Sequence, residues 1–313
     1  MLLFKDIHPK TFISAVLVAI VGSFIFSFCI FYFDNDIIRR YQVQKLDHLD
    51  GVQTIIVGDS SAGNAIDAQY LEELTGTSTK SLALTGSFGL AGTFEMMSRA
   101  LEKDPDLKNI IIIQTLDIWR RPFAPEAVFK FGCGRHLALW ADQFSQNQYI
   151  ECLEYSTQFK NILRFIRHLA QSTPLGPYWK ETTRVTTIDS HYDYLGQEGE
   201  TYANGGKLVT PEDDLKDLID PSNITIFHSM DRWCGEHHVH CIFLHGPMHE
   251  EVFTRGRSSI EKIQQALQGV KNITVIPKVF VYPKSMIGDS VDHIQVLFKK
   301  QVTKDYFEAF DTY

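Results

Sequence analysis

Two short stretches near opposite ends of the chain hold residues that could do chemistry together. Early on, the run TIIVG is followed by Asp59, Ser60, Ser61, Ala62, Gly63 and Asn64, after which a helical pattern resumes. Near the end, IGDSVDHIQVLF sets His293 just ahead of an amphipathic stretch, with Asp289 and Asp292 close to it. A serine hydroxyl is a weak nucleophile until a base takes its proton, and histidine is the common base. The imidazole serves only when its second nitrogen is held in the right tautomer, which a neighbouring carboxylate does. Ser60 is therefore the expected nucleophile, His293 the base, and Asp289 or Asp292 the orienting group. Read locally, Asp59 and Ser60 could merely cap a helix, and His293 could cap another. Their coincidence in one chain favours the catalytic reading.

Other residues are weaker candidates. Cys234, His237, His238, His240, Cys241, His245 and His249 crowd into 16 residues, but show no standard zinc spacing, so neither a metal nor a cofactor is expected. His245 and His249 flank Gly246-Pro247 where a strand should end, which suits substrate contact. Trp119, Arg120 and Arg121 follow another strand and could line the same crevice, and Asp59 and Asp117 are further candidates for substrate contact.

The elements that must position these groups are short aliphatic runs at 54–57, 81–84, 110–114, 241–245 and 273–276. Runs apolar at consecutive positions suit strands buried on both faces. Helical segments alternate with them at 62–74, 93–102, 224–235 and 258–267, and 296–310 closes the chain. The fold class is α/β: a doubly wound, parallel, five-stranded sheet of flavodoxin-like type. In such sheets ligands bind outside the carboxyl ends of the strands, where Ser60 falls. Residues from about 120 to 225 break the rhythm and read as an insertion after the third strand.

This order of motifs resembles the SGNH or GDSL hydrolase superfamily, over about residues 51–313. The family's first motif, Gly-Asp-Ser after the first strand, matches Gly58-Asp59-Ser60. Its last, Asp-x-x-His before the final helix, matches at His293, although Ser290 stands three residues earlier and the carboxylates are displaced to Asp289 and Asp292. The second motif contributes a glycine N–H to the oxyanion hole, for which the resemblance implies Gly86, with Gly89 behind it and the Ser60 N–H as co-donor. The third, Gly-x-Asn-Asp, is replaced by Gln114, Thr115, Leu116 and Asp117, so the asparagine donor is missing.

Residues 12–33 form an uncharged, mostly apolar run of 22. As a helix it would span about 33 Å, enough for the roughly 30 Å hydrocarbon core of a bilayer. The run exceeds a signal-peptide core and ends in aromatic residues rather than a cleavage site, so an uncleaved anchor is expected. The basic residues on its two sides do not fix orientation. Residues 1–11 then form a tail, 34–50 a membrane-proximal helix or stalk, and 51–313 the SGNH-like domain. A net charge of −8 excludes a polyanion such as nucleic acid as the main partner. Cys133, Cys152, Cys234 and Cys241 permit two disulfides without requiring either.

An anchored chain without the third motif is similar to the family's envelope branch, which includes alginate O-acetyltransferases and the D-alanyl transfer protein of teichoic acid synthesis. The resemblance implies a cell-membrane protein with residues 1–11 in the cytoplasm and the domain facing the periplasm or exterior. It also implies an O-acyltransferase, with acetyl the expected group, that modifies a polysaccharide through an acyl-Ser60 and receives its acyl group from a multispanning membrane acyltransferase. A membrane-tethered ester hydrolase is the alternative within the same chemistry. A binding or scaffold subunit of a polysaccharide modification or export complex is the alternative outside it.

Overall fold

The computed structural model describes residues 37–123, 127–128, 131, 219–288 and 290–310, with single positions at 14, 17, 18, 21 and 22. The strands are β1 (Thr54–Gly58), β2 (Thr79–Ser81), β3 (Asn109–Gln114), β4 (His240–His245), β5 (Met248–His249), β6 (Ile273–Val275) and β7 (Val281–Tyr282). The helices are α1 (Ile37–Lys45), α2 (Ser60–Ala65), α3 (Ala68–Thr75), α4 (Gly89–Lys103), α5 (Pro221–His237), α6 (Glu250–Ala266) and α7 (Lys299–Phe310).

Five strands form one sheet in the order β2-β1-β3-β4-β6, and every pairing is parallel. Alternate side chains of a strand point to opposite faces, which divides the core in two. Ile55, Val57, Ile110, Ile112 and Phe243 pack beneath α4, α5 and α6, while Ile56, Ile111, Ile113, Ile242 and Leu244 pack beneath α2, α3 and α7. Both faces are covered, so β1 is buried at all five positions, and the chain is an α/β protein with a wholly parallel sheet. The two edge strands are only three residues long, which limits the exposed ladder.

Several features differ from the sequence expectation, among them the second strand, expected over 81–84 and paired over Thr79–Ser81. The segment expected as one helix over 62–74 is two, because Asp67 leaves helical geometry, accepts from the Tyr70 N–H at 2.9 Å and donates its own N–H to Thr303 Oγ1 at 2.8 Å. Of residues 34–50, expected as a membrane-proximal helix or stalk, Ile37–Lys45 form helix α1, and the segment packs onto the domain instead of standing off from it. Lys45 Nζ donates to the Ser81 carbonyl at 2.6 Å, and Leu46 and Leu49 are buried in the α4/α5 core. A second, two-stranded parallel sheet joins β5 to β7, which no periodicity in the sequence announces.

The expected membrane span, 12–33, lies almost wholly outside the described residues. Its five described positions are exposed, and among the described residues no helix is long and apolar enough to cross a membrane. Most of the expected insertion also lies outside them, but its two ends meet. The Asp220 N–H donates to the Trp119 carbonyl at 2.7 Å, and Asn223 Nδ2 donates to the carbonyls of Ile118 and Arg121 at 2.8 and 2.6 Å. The chain thus leaves and re-enters the domain at one place, and β3 and β4 pair over six residues regardless.

Candidate active site

The turn that carries Ser60 is built from residues with no freedom to be otherwise. Gly58, at the end of β1, has φ +149°, and a Cβ there would lie 1.8 Å from the Ile113 carbonyl oxygen. Only glycine lets β1 turn off this close to β3. Asp59 then points inward rather than toward a ligand. One of its oxygens accepts from the Ser61 N–H at 2.9 Å and the Ser61 hydroxyl at 2.5 Å, and the other from the Thr115 N–H at 3.0 Å. Its carboxyl caps α2 and pins the nucleophile turn to the end of β3. Burial pushes it up to about 6, Asp292 adds to the rise, and the three hydrogen bonds oppose it. Ser61 is fully buried, which leaves Ser60 as the serine of this turn that is partly open to solvent.

His293 arrives from 233 residues away, and its ring Nε2 lies 2.9 Å from Ser60 Oγ. Its loop is fixed from both sides. Ile287 and Ile294 form an antiparallel bridge, the Gly288 N–H donates to the His293 carbonyl at 2.7 Å, and the Gln295 N–H donates to the Met286 carbonyl at 3.0 Å. The β5–β7 ladder and a 2.8 Å bond from the His249 N–H to the Val291 carbonyl tie this loop to the end of β4. Behind it, α7 is fastened to the nucleophile's own helix, with Lys299 Nζ donating to the Gly63 carbonyl at 2.6 Å.

Asp292 sits 3.8 Å from Nε2, on the ring edge that faces Ser60, and accepts from the Ser290 hydroxyl. An orienting carboxylate must contact Nδ1 instead, so this contact does not place Asp292 in that role. Asp289 lies outside the described residues.

The remaining candidates separate. Gly86 opens a 3-10 turn just beyond β2, and its carbonyl accepts from Arg121 Nη1 at 2.8 Å. Arg121 also forms a two-pronged ion pair with Asp117, at 3.1 Å from Nε and 2.6 Å from Nη2. Burial weakens the charge of Arg121, but Asp117, Asp59 and Asp292 outweigh it and its pKa is raised. Burial raises Asp117, with Arg121 opposing. Arg120 is partly buried on the same turn.

Trp119 does not reach the crevice. It is fully buried, edge-on to Phe227 and Phe243, and donates its indole N–H to His245 Nε2 at 3.0 Å. His245 and His249 are likewise interior. Burial drives His245 down to about 4, while His249 caps α6 by accepting from the Glu251 N–H through Nδ1 at 3.1 Å. Neither side chain presents surface to a substrate. Both end up inside because the chain folds back through β5 instead of opening at Gly246-Pro247.

The cysteine and histidine cluster resolves otherwise than as ligands. Cys234 and Cys241 are bonded to each other, with Cα atoms 6.2 Å apart, and so offer no thiolate to a metal. Among the described residues no group of three His, Cys, Asp or Glu side chains could hold an ion. Sequence reasoning missed the part played by Ser61, Thr115 and Arg121 in bracing the site. A serine beside the nucleophile and an arginine four residues after an aspartate were the available signals.

Fold and geometry together define a class: an α/β domain with a serine–histidine pair at the carboxyl edge of a parallel sheet. Comparison with models of known protein families and with curated proteins returns no match.

Proposed function

We propose that the chain is a membrane-anchored, SGNH-type O-acyltransferase that modifies an extracytoplasmic polysaccharide through an acyl-Ser60 intermediate. The observation that carries this reading is the 2.9 Å approach of His293 Nε2 to Ser60 Oγ, which lies within the reach a general base requires. For the hydroxyl to donate, the imidazole proton must sit on Nδ1, and Asp289 is the proposed partner there. In the first half-reaction Ser60 Oγ bonds to the acyl carbon as His293 takes its proton. The tetrahedral oxyanion is held by the N–H groups of Ser60 and Gly86. It collapses by breaking the bond to the donor's leaving atom, which receives the proton from His293. In the second, a glycan hydroxyl gives its proton to His293 and attacks the ester, and Ser60 leaves with that proton. Asp292, 3.8 Å from Nε2, favours the imidazolium that forms in each half.

The Cys234–Cys241 bond supports placing the domain outside the cytoplasm, because such bonds persist in oxidising compartments. The anchor and the multispanning acyl-donating partner belong to the same proposal and rest on the sequence.

The same site hydrolyses esters if water takes the acceptor's place. Full-length chain in detergent, given an activated acyl ester, separates the readings by intact mass and product analysis. We expect a serine adduct in wild type that is absent in Ser60→Ala and strongly slowed in His293→Ala, and release that accelerates when a polysaccharide hydroxyl acceptor is supplied. Equal release with and without acceptor identifies the tethered hydrolase. No adduct with an organophosphonate in wild type overturns the acyl-serine reading and leaves the scaffold subunit.

A further inference from the structure

Past the carboxyl ends of β2 and β3 lies a pocket of about 150 Å³. Its rim carries Gly86 and Arg121, and its walls include Phe88, Ala91, Ile118 and Ile226. The rim is built from segments on both sides of β1, the strand that leads to Ser60. β2 and β3 flank β1 on either side, and the Leu84 N–H donates to the Gly58 carbonyl at 2.8 Å. Two residues further on, the first chain opens a 3-10 turn at Gly86 and the second opens α2 at Ser60. Arg121 leaves the other neighbour, β3, and its Nη1 meets the Gly86 carbonyl at 2.8 Å. Segments from both flanks of β1 therefore join beside the end of the strand that carries Ser60, on the α4/α5 face.

We propose that this pocket is the acyl subsite and that it selects a straight acyl chain of about four to six carbons over acetyl. The inference rests on the acyl-serine reading and deepens it. If the Gly86 N–H holds the oxyanion, the acyl carbon lies at the pocket's rim and the chain beyond it has an apolar place to enter. An apolar cavity of about 150 Å³ accommodates a benzene-sized group, so a single methyl leaves most of the space unfilled. Each methylene buried there raises transition-state binding by about fourfold, and hexanoyl adds four to acetyl. Losses from chain ordering bring the expected preference to about 100-fold. Chains much longer than the pocket meet α5, whose Ile226 forms part of its wall.

The test uses full-length chain in detergent with p-nitrophenyl esters of acetate, butyrate, hexanoate and decanoate. We expect kcat/KM to climb from acetate to hexanoate and fall at decanoate. Ala91→Phe should cut the hexanoate-to-acetate ratio at least tenfold by occupying the pocket. Ser87→Phe fills it from an exposed rim position and keeps the test standing if the first variant does not fold. An active serine that prefers acetate, or a chain-length profile that neither variant changes, overturns the subsite while leaving the acyl-serine reading intact. No turnover of any ester together with no phosphonate adduct on Ser60 overturns both.

Discussion

Asp59 and His245 lie in one buried layer under the site, and their titrations oppose each other in a way that stability measurements can read. Burial lifts the Asp59 carboxyl from 3.8 to about 6, with Asp292 adding to it. A carboxyl that binds its proton more tightly when folded stabilises fully below its unfolded pKa, and that contribution is lost as pH rises through the folded value. The shift of about two units corresponds to about 3 kcal/mol. Burial lowers His245 from 6.5 to about 4, so its contribution is present above 6.5 and lost as pH falls toward 4, again about 3 kcal/mol. Between pH 4 and 6.5 the two nearly cancel. His245→Gln keeps an acceptor for the Trp119 indole N–H while removing the titration. Relative to wild type, that variant should lose about 3 kcal/mol between pH 4 and 6.5. Asp59→Asn, lower in baseline because one of its bonds to Ser61 or Thr115 is lost, should gain about 3 kcal/mol over wild type across the same interval. Urea unfolding followed by tryptophan fluorescence at closely spaced pH values gives both profiles, and taking differences from wild type removes groups common to all three. Profiles parallel to wild type, or both variants deviating in the same direction, would refute the reasoning.

Gly58→Ala forces a Cβ to within 1.8 Å of the Ile113 carbonyl oxygen at φ +149°, so stability should fall by about 3 kcal/mol or more. Phosphonate labelling of Ser60 should slow even under conditions where the variant is folded, and unchanged labelling would show that the turn does not set the serine's position. Cys234→Ser opens a short loop whose closure stabilises by about 2 kcal/mol in the chain-entropy model. Its urea midpoint should match that of wild type under reducing conditions, whereas a midpoint equal to that of oxidised wild type would show that the bond adds nothing.

The central strands were legible because they are buried on both faces: TIIV, IIIIQ and CIFLH carry apolar side chains at successive positions. The edge strand was misplaced for the opposite reason. Leu82, Ala83 and Leu84 are apolar because they sink into the core past the end of the ladder, while the paired residues are Thr79, Lys80 and Ser81. The break at Asp67 escaped notice because apolar spacing continues across it. Two-residue strands have no period to detect, so β5 and β7, which hold the histidine loop, were invisible. The serine and histidine themselves were readable from residue type alone. The buried fates of His245, His249 and Trp119 were not, since polar aromatic residues at a strand's end look the same whether they face a ligand or one another.

The stretch Gln114, Thr115, Leu116 and Asp117 bears on how an oxyanion could be held. The Leu116 side chain is buried and has no donor to give, while Thr115 spends its N–H on Asp59. Arg121 follows on the same stretch with donors of its own, yet three of its five N–H groups are committed to Asp117 and Gly86. Its positive charge is also largely answered by Asp117. An ion-paired guanidinium contributes orientation more than field, and its bond to the Gly86 carbonyl fixes the plane of the Gly86–Ser87 peptide. On the proposed mechanism, stabilisation therefore falls mainly on backbone donors at Ser60 and Gly86, with Arg121 bracing the turn just after the second of them. Such a site has fewer donors aimed at the developing charge than one with an added side-chain amide, and removing one such donor typically costs 100-fold or more in rate. Slow turnover with a long-lived acyl-serine is the signature expected of the proposed mechanism, read as persistence of the Ser60 adduct in intact mass after the donor ester is removed.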